Sequence, residues 1–201
     1  MKNKYYTMVW KNYGKDDSYK TGEFALTVTE VEKLLSNCEV MSEKILLEVG
    51  ISTGCRRADL CAIEKSNIDI EKMTVSYIER KKGGRIRIVN FGKKLQVDLR
   101  QYIATLPPRC KWLFPSSHGM ENHISDRSVW NIFNRVCKRA GISQRPAHAL
   151  RSTFVKQAIL NGWSMIQISN HIGDTQQTIE KYYAVPSIGE MAELARTKEV
   201  I

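Results

Sequence analysis

The sequence predicts a mainly helical chain with one small antiparallel β-sheet, an α+β fold. Three observations carry this. Apolar residues recur at three- and four-residue spacing through most of the chain, as in 28–35, 129–136 and 154–159. Only two neighbouring stretches alternate instead, 73–79 and 84–91, and a turn containing Gly83 and Gly84 joins them. Helix start and stop residues punctuate the rest: Thr27 with Glu30, Ser125, Gly141, Ser164 and Gly173.

Taken in order, residues 1–23 are polar and studded with aromatics such as Tyr5, Trp10 and Tyr19, and read as an arm or linker. Residues 24–201 read as one domain. Thr27 and Glu30 form a capping box for a helix with Val28, Val31, Leu34 and Leu35 as its apolar face. A second helix runs through Ile45, Leu46 and Val49 to about residue 53. Gly54 then supplies the positive φ that a helix–helix turn needs. Residues 67–69 read as a turn before the two strands, and 93–103 as a helix with Leu95, Leu99 and Ile103 spaced by four. Pro107 and Pro108 break the chain, and 116–122 read as a loop. Ser125 caps a helix over 126–140 that buries Val129, Ile132, Phe133 and Val136. Arg135, Lys138 and Arg139 near its end either complement the helix dipole or touch nucleic acid. Phe154, Val155, Ala158 and Ile159 bury the next helix. Ser164 caps a short one anchored by Ile166 and Ile168, and Thr175 starts the helix that carries Tyr182 and Tyr183. Ile188, Met191, Leu194 and Ala195 give the tail, about 187–198, a small amphipathic helix.

Composition bounds the function. Of 201 residues 42% are apolar, enough for one sizeable core. No apolar run approaches the ~20 residues of a membrane helix. Residues 1–14 lack the apolar centre of a signal peptide, so an intracellular protein without membrane contact is expected. Lys and Arg number 31 against 21 acidic residues, a net charge of +10. That excess favours a polyanionic partner, most simply nucleic acid. The five cysteines form no C-x-x-C pair, and the four histidines show no metal spacing. Reduced thiols are expected, with no metal and no cofactor.

The chemistry concentrates late in the chain. His148 and Arg151 are three apart and share a helix face, just after Pro146, which suits a helix start. A helix N-terminus favours phosphate. An imidazole, a guanidinium and a nearby tyrosine pair suit attack on a phosphodiester.

These residues resemble the boxes of the tyrosine recombinases, the phage-type integrases. His148-Ala149-Leu150-Arg151 resembles the family's His-x-Leu-Arg box. Thr53, Gly54, Arg56, Asp59 and Leu60 resemble T-G-x-R-x-x-E-L, with Asp in place of Glu. Ile172-Gly173-Asp174 stands where the family has a Gly-His box, and Tyr183 follows nine residues after Asp174. The resemblance covers roughly residues 24–200 and implies the recombinase catalytic-domain fold.

It also implies a function: site-specific cutting and rejoining of double-stranded DNA through a 3′-phosphotyrosyl intermediate, without metal or ATP. Tyr183 would be the nucleophile, with Tyr182 the alternative; His148 the base; and Arg56 and Arg151 the phosphate ligands. Asp59 would hold the Arg56 fork. The family places a catalytic lysine on the hairpin, and counting back from the glycines favours Lys82, with Lys81 the runner-up. Lys81, Arg85 and Arg87 are expected to contact DNA. A monomer in solution and a homo-tetramer on DNA are expected. The alternatives are a catalytically impaired DNA-binding homologue and a type IB topoisomerase-like nicking-closing enzyme. Two features depart from the family. Asp174 replaces a His or Trp, and only about 23 residues precede the domain where members carry a helical DNA clamp. His171 is a conceivable substitute for the missing side chain, but the glycine register argues against it.

Overall fold

The structure, a computed structural model, describes residues 21–146, 148–183 and 196, without the side chains of Thr21 and Lys82. The expected arm over 1–20 and, apart from Arg196, the expected tail helix lie outside the described residues.

A 3-10 turn, Thr21–Phe24, leads into α1 (Val28–Ser36). The capping box forms: Thr27 Oγ1 accepts from the Glu30 N–H, and the Glu30 carboxylate accepts from the Thr27 N–H. Leu34 is fully buried in the core and Val31 and Leu35 pack against it, as expected; Val28, expected inward, is 57% exposed, because at the first helical position it lies at the rim. Next comes α2 (Met41–Thr53), which buries Ile45, Leu46, Leu47 and Val49. Gly54 closes it in the left-handed region at φ 59, as the sequence predicts. A short helix, α3 (Arg57–Cys61), follows.

The sheet is β1 (Ile68–Asp69), β2 (Thr74–Glu79) and β3 (Arg85–Asn90), antiparallel in that order. Residues 68–69, read as part of a turn, therefore pair as an edge strand. Val75, Tyr77 and Glu79 alternate onto the inner face of β2. Opposite them, Val89 and Arg87 face inward on β3 while Ile86 and Ile88 are exposed. The helix α4 (Lys93–Thr105) buries Leu95, Leu99 and Tyr102.

Residues 116–122, expected as a loop, instead contribute to a second hairpin, β4 (Pro115–Ser116) and β5 (Gly119–His123). Its side chains are mostly exposed, so no inward-outward alternation marks it in the sequence. The helix α5 (Asp126–Arg139) starts at Ser125 and buries Val129, Phe133 and Val136. Arg139 lies in its last turn, where a cation complements the dipole, and Arg135 keeps a largely exposed side chain. Both hydrogen-bond the Glu43 carboxylate on α2. Burial pushes that carboxyl up, but the two arginine bonds outweigh it and hold it below the ordinary range.

The helix α6 (Ala149–Leu160) is buried along most of its length and packs on α2. Gly50 makes that approach possible: a Cβ there would meet Leu150 Cδ1 at 2.9 Å. The 3-10 turn and α6 are tied by Leu26 N–H donating to Thr153 Oγ1 at 2.8 Å. The chain ends in α7 (Met165–Ile172) and α8 (Gln176–Tyr182). α7 is anchored by Ile168 and Ile172; Ile166, expected as an anchor, is 58% exposed. All five cysteines are free, and Cys55, Cys61, Cys110 and Cys137 are buried. No described helix is long and apolar enough to cross a membrane.

Candidate active site

The site begins with two helix ends that the sequence marks by glycine. At Gly54 the chain leaves α2, and Arg56 becomes the residue before α3. A Cβ at Gly54 would lie 2.7 Å from the Phe154 ring, so glycine is required by space as well as by φ. At Gly173, φ 77, the chain leaves α7 and presents Asp174.

Arg151, on the first turn of α6, is 1% exposed. Its Nη1 donates to the Gly54 carbonyl at 2.7 Å, and its Nη2 to the Ile172 carbonyl at 3.0 Å and to Asp174 Oδ2 at 2.6 Å. Two helix C-termini thus deliver carbonyl oxygens to one guanidinium. Arg56 reaches the same carboxylate from the other side, with Nη2 2.5 Å from Asp174 Oδ1. Asp174 therefore bridges both arginines. A planar fork that presents several donors suits a carboxylate or a phosphate equally.

His148 is the residue just before α6, and its Nε2 lies 2.6 Å from the Tyr183 hydroxyl. Tyr183 closes α8 and is 3% exposed. Burial first, and the Arg151 charge second, push the His148 imidazole down to about 4. It is neutral at pH 7, and with its proton on Nδ1 its Nε2 accepts the hydrogen bond of the tyrosine hydroxyl.

Arg56, Arg151, His148, Asp174 and Tyr183, all singled out from the sequence, come together here. Two other assignments change. Asp59 does not hold the Arg56 fork; it is buried and accepts the Arg80 backbone N–H at 3.2 Å. Burial pushes its carboxyl up. Arg87 does not face outward toward DNA. Its side chain is 11% exposed, donates to Glu79 Oε2 at 2.9 Å, and donates to the Asn170 carbonyl. Arg85 and Lys81 are exposed, as DNA contacts require. The Lys82 side chain lies outside the described residues, whereas the Lys81 charge is close enough to lower the His148 pKa.

His171 is no substitute for the family's histidine. Its ring stacks on Phe154 at 4.5 Å and meets the edge of Trp163, and burial pushes it down to about 4. Tyr182 sits beneath the Lys181 ammonium, 5.1 Å from the ring centre.

One site residue was missed by sequence reasoning. Glu79 is 1% exposed and takes the other edge of Arg56, with Oε1 3.1 Å from Nη1. The signal was present: Glu79 continues the inward alternation of Val75 and Tyr77, and a carboxylate on a buried strand face demands a cationic partner. Among the described residues no cluster of His, Cys, Asp or Glu is arranged to hold a metal ion.

Comparison with known proteins bears on this geometry. The model of the Phage integrase family matches residues 25–187. Tyrosine recombinase XerA of Pyrococcus horikoshii is 22% identical over 178 residues, covering 88% of this chain and 62% of that protein. Tyrosine recombinase XerC of Corynebacterium glutamicum is 28% identical over 148 residues, covering 72% of this chain and 47% of that protein. A crystal structure of XerA recombinase aligns with a TM-score of 0.77 at 20% identity, over 87% of this chain and 63% of that one. The pre-cleavage complex of XerH site-specific recombinase with its difH substrate aligns with a TM-score of 0.68 at 18% identity, over 88% of this chain and 53% of that one. The chain thus spans about half to two thirds of the length of these relatives.

Proposed function

This chain belongs to the phage integrase family of tyrosine recombinases, and from that premise we propose that it cuts and rejoins double-stranded DNA through Tyr183. The observation that carries this reading is the 2.6 Å hydrogen bond between His148 Nε2 and the Tyr183 hydroxyl, beside two arginines that already grip one anion.

In the proposed step the Tyr183 oxygen attacks a backbone phosphorus while its proton passes to His148. The phosphorus–oxygen bond to the 5′ side breaks, and the departing oxygen takes a proton from a hairpin lysine. The products are a 3′-phosphotyrosyl ester and a free 5′-hydroxyl. A second 5′-hydroxyl reverses the step, and the ester retains the energy of the original bond, so rejoining needs no ATP. Unperturbed tyrosine has a pKa of ~10, so a neutral base within hydrogen-bond reach is what the attack requires. Arg56 and Arg151 neutralise charge on the pentavalent transition state, the kind of preorganised contribution that dominates much enzyme catalysis. The proposed assembly is a monomer that becomes a homo-tetramer on DNA inside the cell.

The experiment is a duplex with a nick near a candidate site, incubated with the protein and run on a denaturing gel. A covalent protein–DNA adduct is expected. Absence of adduct at every site tried, with DNA bound at low salt, overturns the cutting reaction in favour of a binding-only homologue. In the same assay Lys82→Ala is expected to slow adduct formation by about a hundredfold, within the usual range for a general acid, and Lys81→Ala by far less. The reverse order assigns the role to Lys81.

The binding-only reading draws on a specific observation. Asp174 occupies the seat between the arginines that a phosphate needs. Its carboxylate must turn away when DNA enters. Asp174→Asn removes the competing charge, so it is expected to bind DNA about tenfold more tightly, equivalent to ~1.4 kcal/mol. Fluorescence anisotropy at fixed low salt measures this. Equal or weaker binding means that Asp174 orients the arginines and does not compete for them.

A further inference from the structure

We propose that Glu79 is a positioning residue for the reaction, fixing Arg56 in register with the lysine hairpin and the turn that carries Asp174. The inference rests on the reading of Arg56 as a phosphate ligand. Three segments reach the site from different parts of the chain, and one buried carboxylate touches all three. Glu79 Oε1 accepts from Arg56 Nη1 at 3.1 Å, just before α3. Glu79 Oε2 accepts from Arg87 Nη2 at 2.9 Å on β3, and Arg87 in turn donates to the Asn170 carbonyl on α7. Against the same pair lies Gly173: a Cβ there would fall on the Arg87 guanidinium and within 2.5 Å of Glu79 Oε1. The backbone carbonyl of Glu79 also accepts the Gly84 N–H at 3.2 Å, closing the turn that contains Lys81.

The arrangement has a physical consequence. An arginine side chain has many rotamers, and two anchored edges remove most of that freedom. Glu79 holds one edge of Arg56 and so leaves Nη2 aimed at the seat where Asp174 now lies. When phosphate displaces Asp174, Glu79 is the contact that keeps the fork in place. Burying a carboxylate is costly unless its partners are well placed. The same strand face carries Val75 and Tyr77, so an apolar residue would satisfy packing alone. What the charge adds is orientation, and orientation of a phosphate ligand is felt in the chemical step more than in DNA affinity.

The test uses Glu79→Gln in the full chain, which keeps shape and removes charge. Its first readout is independent of activity: the side-chain N–H signals of the arginines by NMR. Those of Arg56 and Arg87 are expected to shift and broaden, while those of Arg139, held by Glu43, stay in place. Unmoved Arg56 signals overturn the proposal. The second readout is kinetic. Adduct formation is expected to slow by at least about tenfold with DNA affinity changed less than about threefold. Glu79→Gln on top of Arg56→Ala is then expected to add nothing further, because both act through one group. Effects that multiply instead overturn it. If wild-type protein forms no adduct, the recombinase reading fails and the arginine signals still decide the role of Glu79. If Glu79→Gln does not fold, Glu79→Asp replaces it. That change keeps the charge but shortens the side chain, withdrawing it from Arg56 Nη1, and unmoved Arg56 signals again overturn the proposal.

Discussion

Tyr183→Phe is expected to abolish the covalent adduct, lowering its rate by more than about four orders of magnitude, the scale on which loss of a nucleophile is felt. The change removes one oxygen and leaves the ring in its packed place. Tyr183 is 3% exposed and its backbone N–H bonds the Ile179 carbonyl, so the end of α8 remains ordered. His148 loses a hydrogen-bond partner, which costs roughly 1 kcal/mol of stability. DNA affinity should be nearly unchanged, because the arginines supply the phosphate contacts. Tyr182→Phe serves as the control and should cleave at the wild-type rate. Tyr182 is only partly buried, and it is the Tyr183 hydroxyl that His148 meets at 2.6 Å. An adduct that survives in Tyr183→Phe and vanishes in Tyr182→Phe would move the nucleophile by one residue.

Arg151→Ala is expected to lose both chemistry and stability. The guanidinium is 1% exposed and satisfies the Gly54 carbonyl, the Ile172 carbonyl and Asp174. Deleting it leaves those acceptors facing a cavity. Breaking a buried ion pair by removing one partner typically destabilises by roughly 3–5 kcal/mol. The midpoint of urea unfolding should fall accordingly. Arg151→Lys separates the two effects. It keeps a charge for Asp174, so part of the stability returns, but it lacks the planar fork, so the adduct should remain undetectable. An unfolding midpoint for Arg151→Ala equal to that of wild type would show that the site does not hold the two helix ends together.

Much of this was legible in the sequence because it depends on local rules. Thr27 with Glu30, Ser125, Ser164 and the glycines at 54 and 173 act within a turn of their own helix, and each forms the cap expected of it. The strand pair around Gly83 and Gly84 is equally local. The motif residues Arg56, His148, Arg151 and Tyr183 were picked out by their resemblance to the family's boxes, and they meet. The misreadings share one cause. Asp59 was placed beside Arg56 through the family's box, and Arg87 by its type, as a surface cation. Each instead bonds a group far along the chain or on another element.

Composition, periodicity and caps by themselves determined a basic, mainly helical chain with a hairpin sheet, and the resemblance of its boxes to the tyrosine recombinases supplied the set of residues competent to attack a phosphodiester. Only the tertiary structure decided how that set is held. Arg87 turns inward while Ile86 and Ile88 beside it stay exposed, the reverse of what polarity alone suggests. Glu79 supplies the reason: a carboxylate buried on the facing strand must find cations, and its partners lie 8 and 23 residues away in sequence. Asp174 likewise gains its meaning from two arginines 23 and 118 residues distant. Ion pairs of this kind follow from which surfaces the fold brings together, and no local window of sequence contains both members.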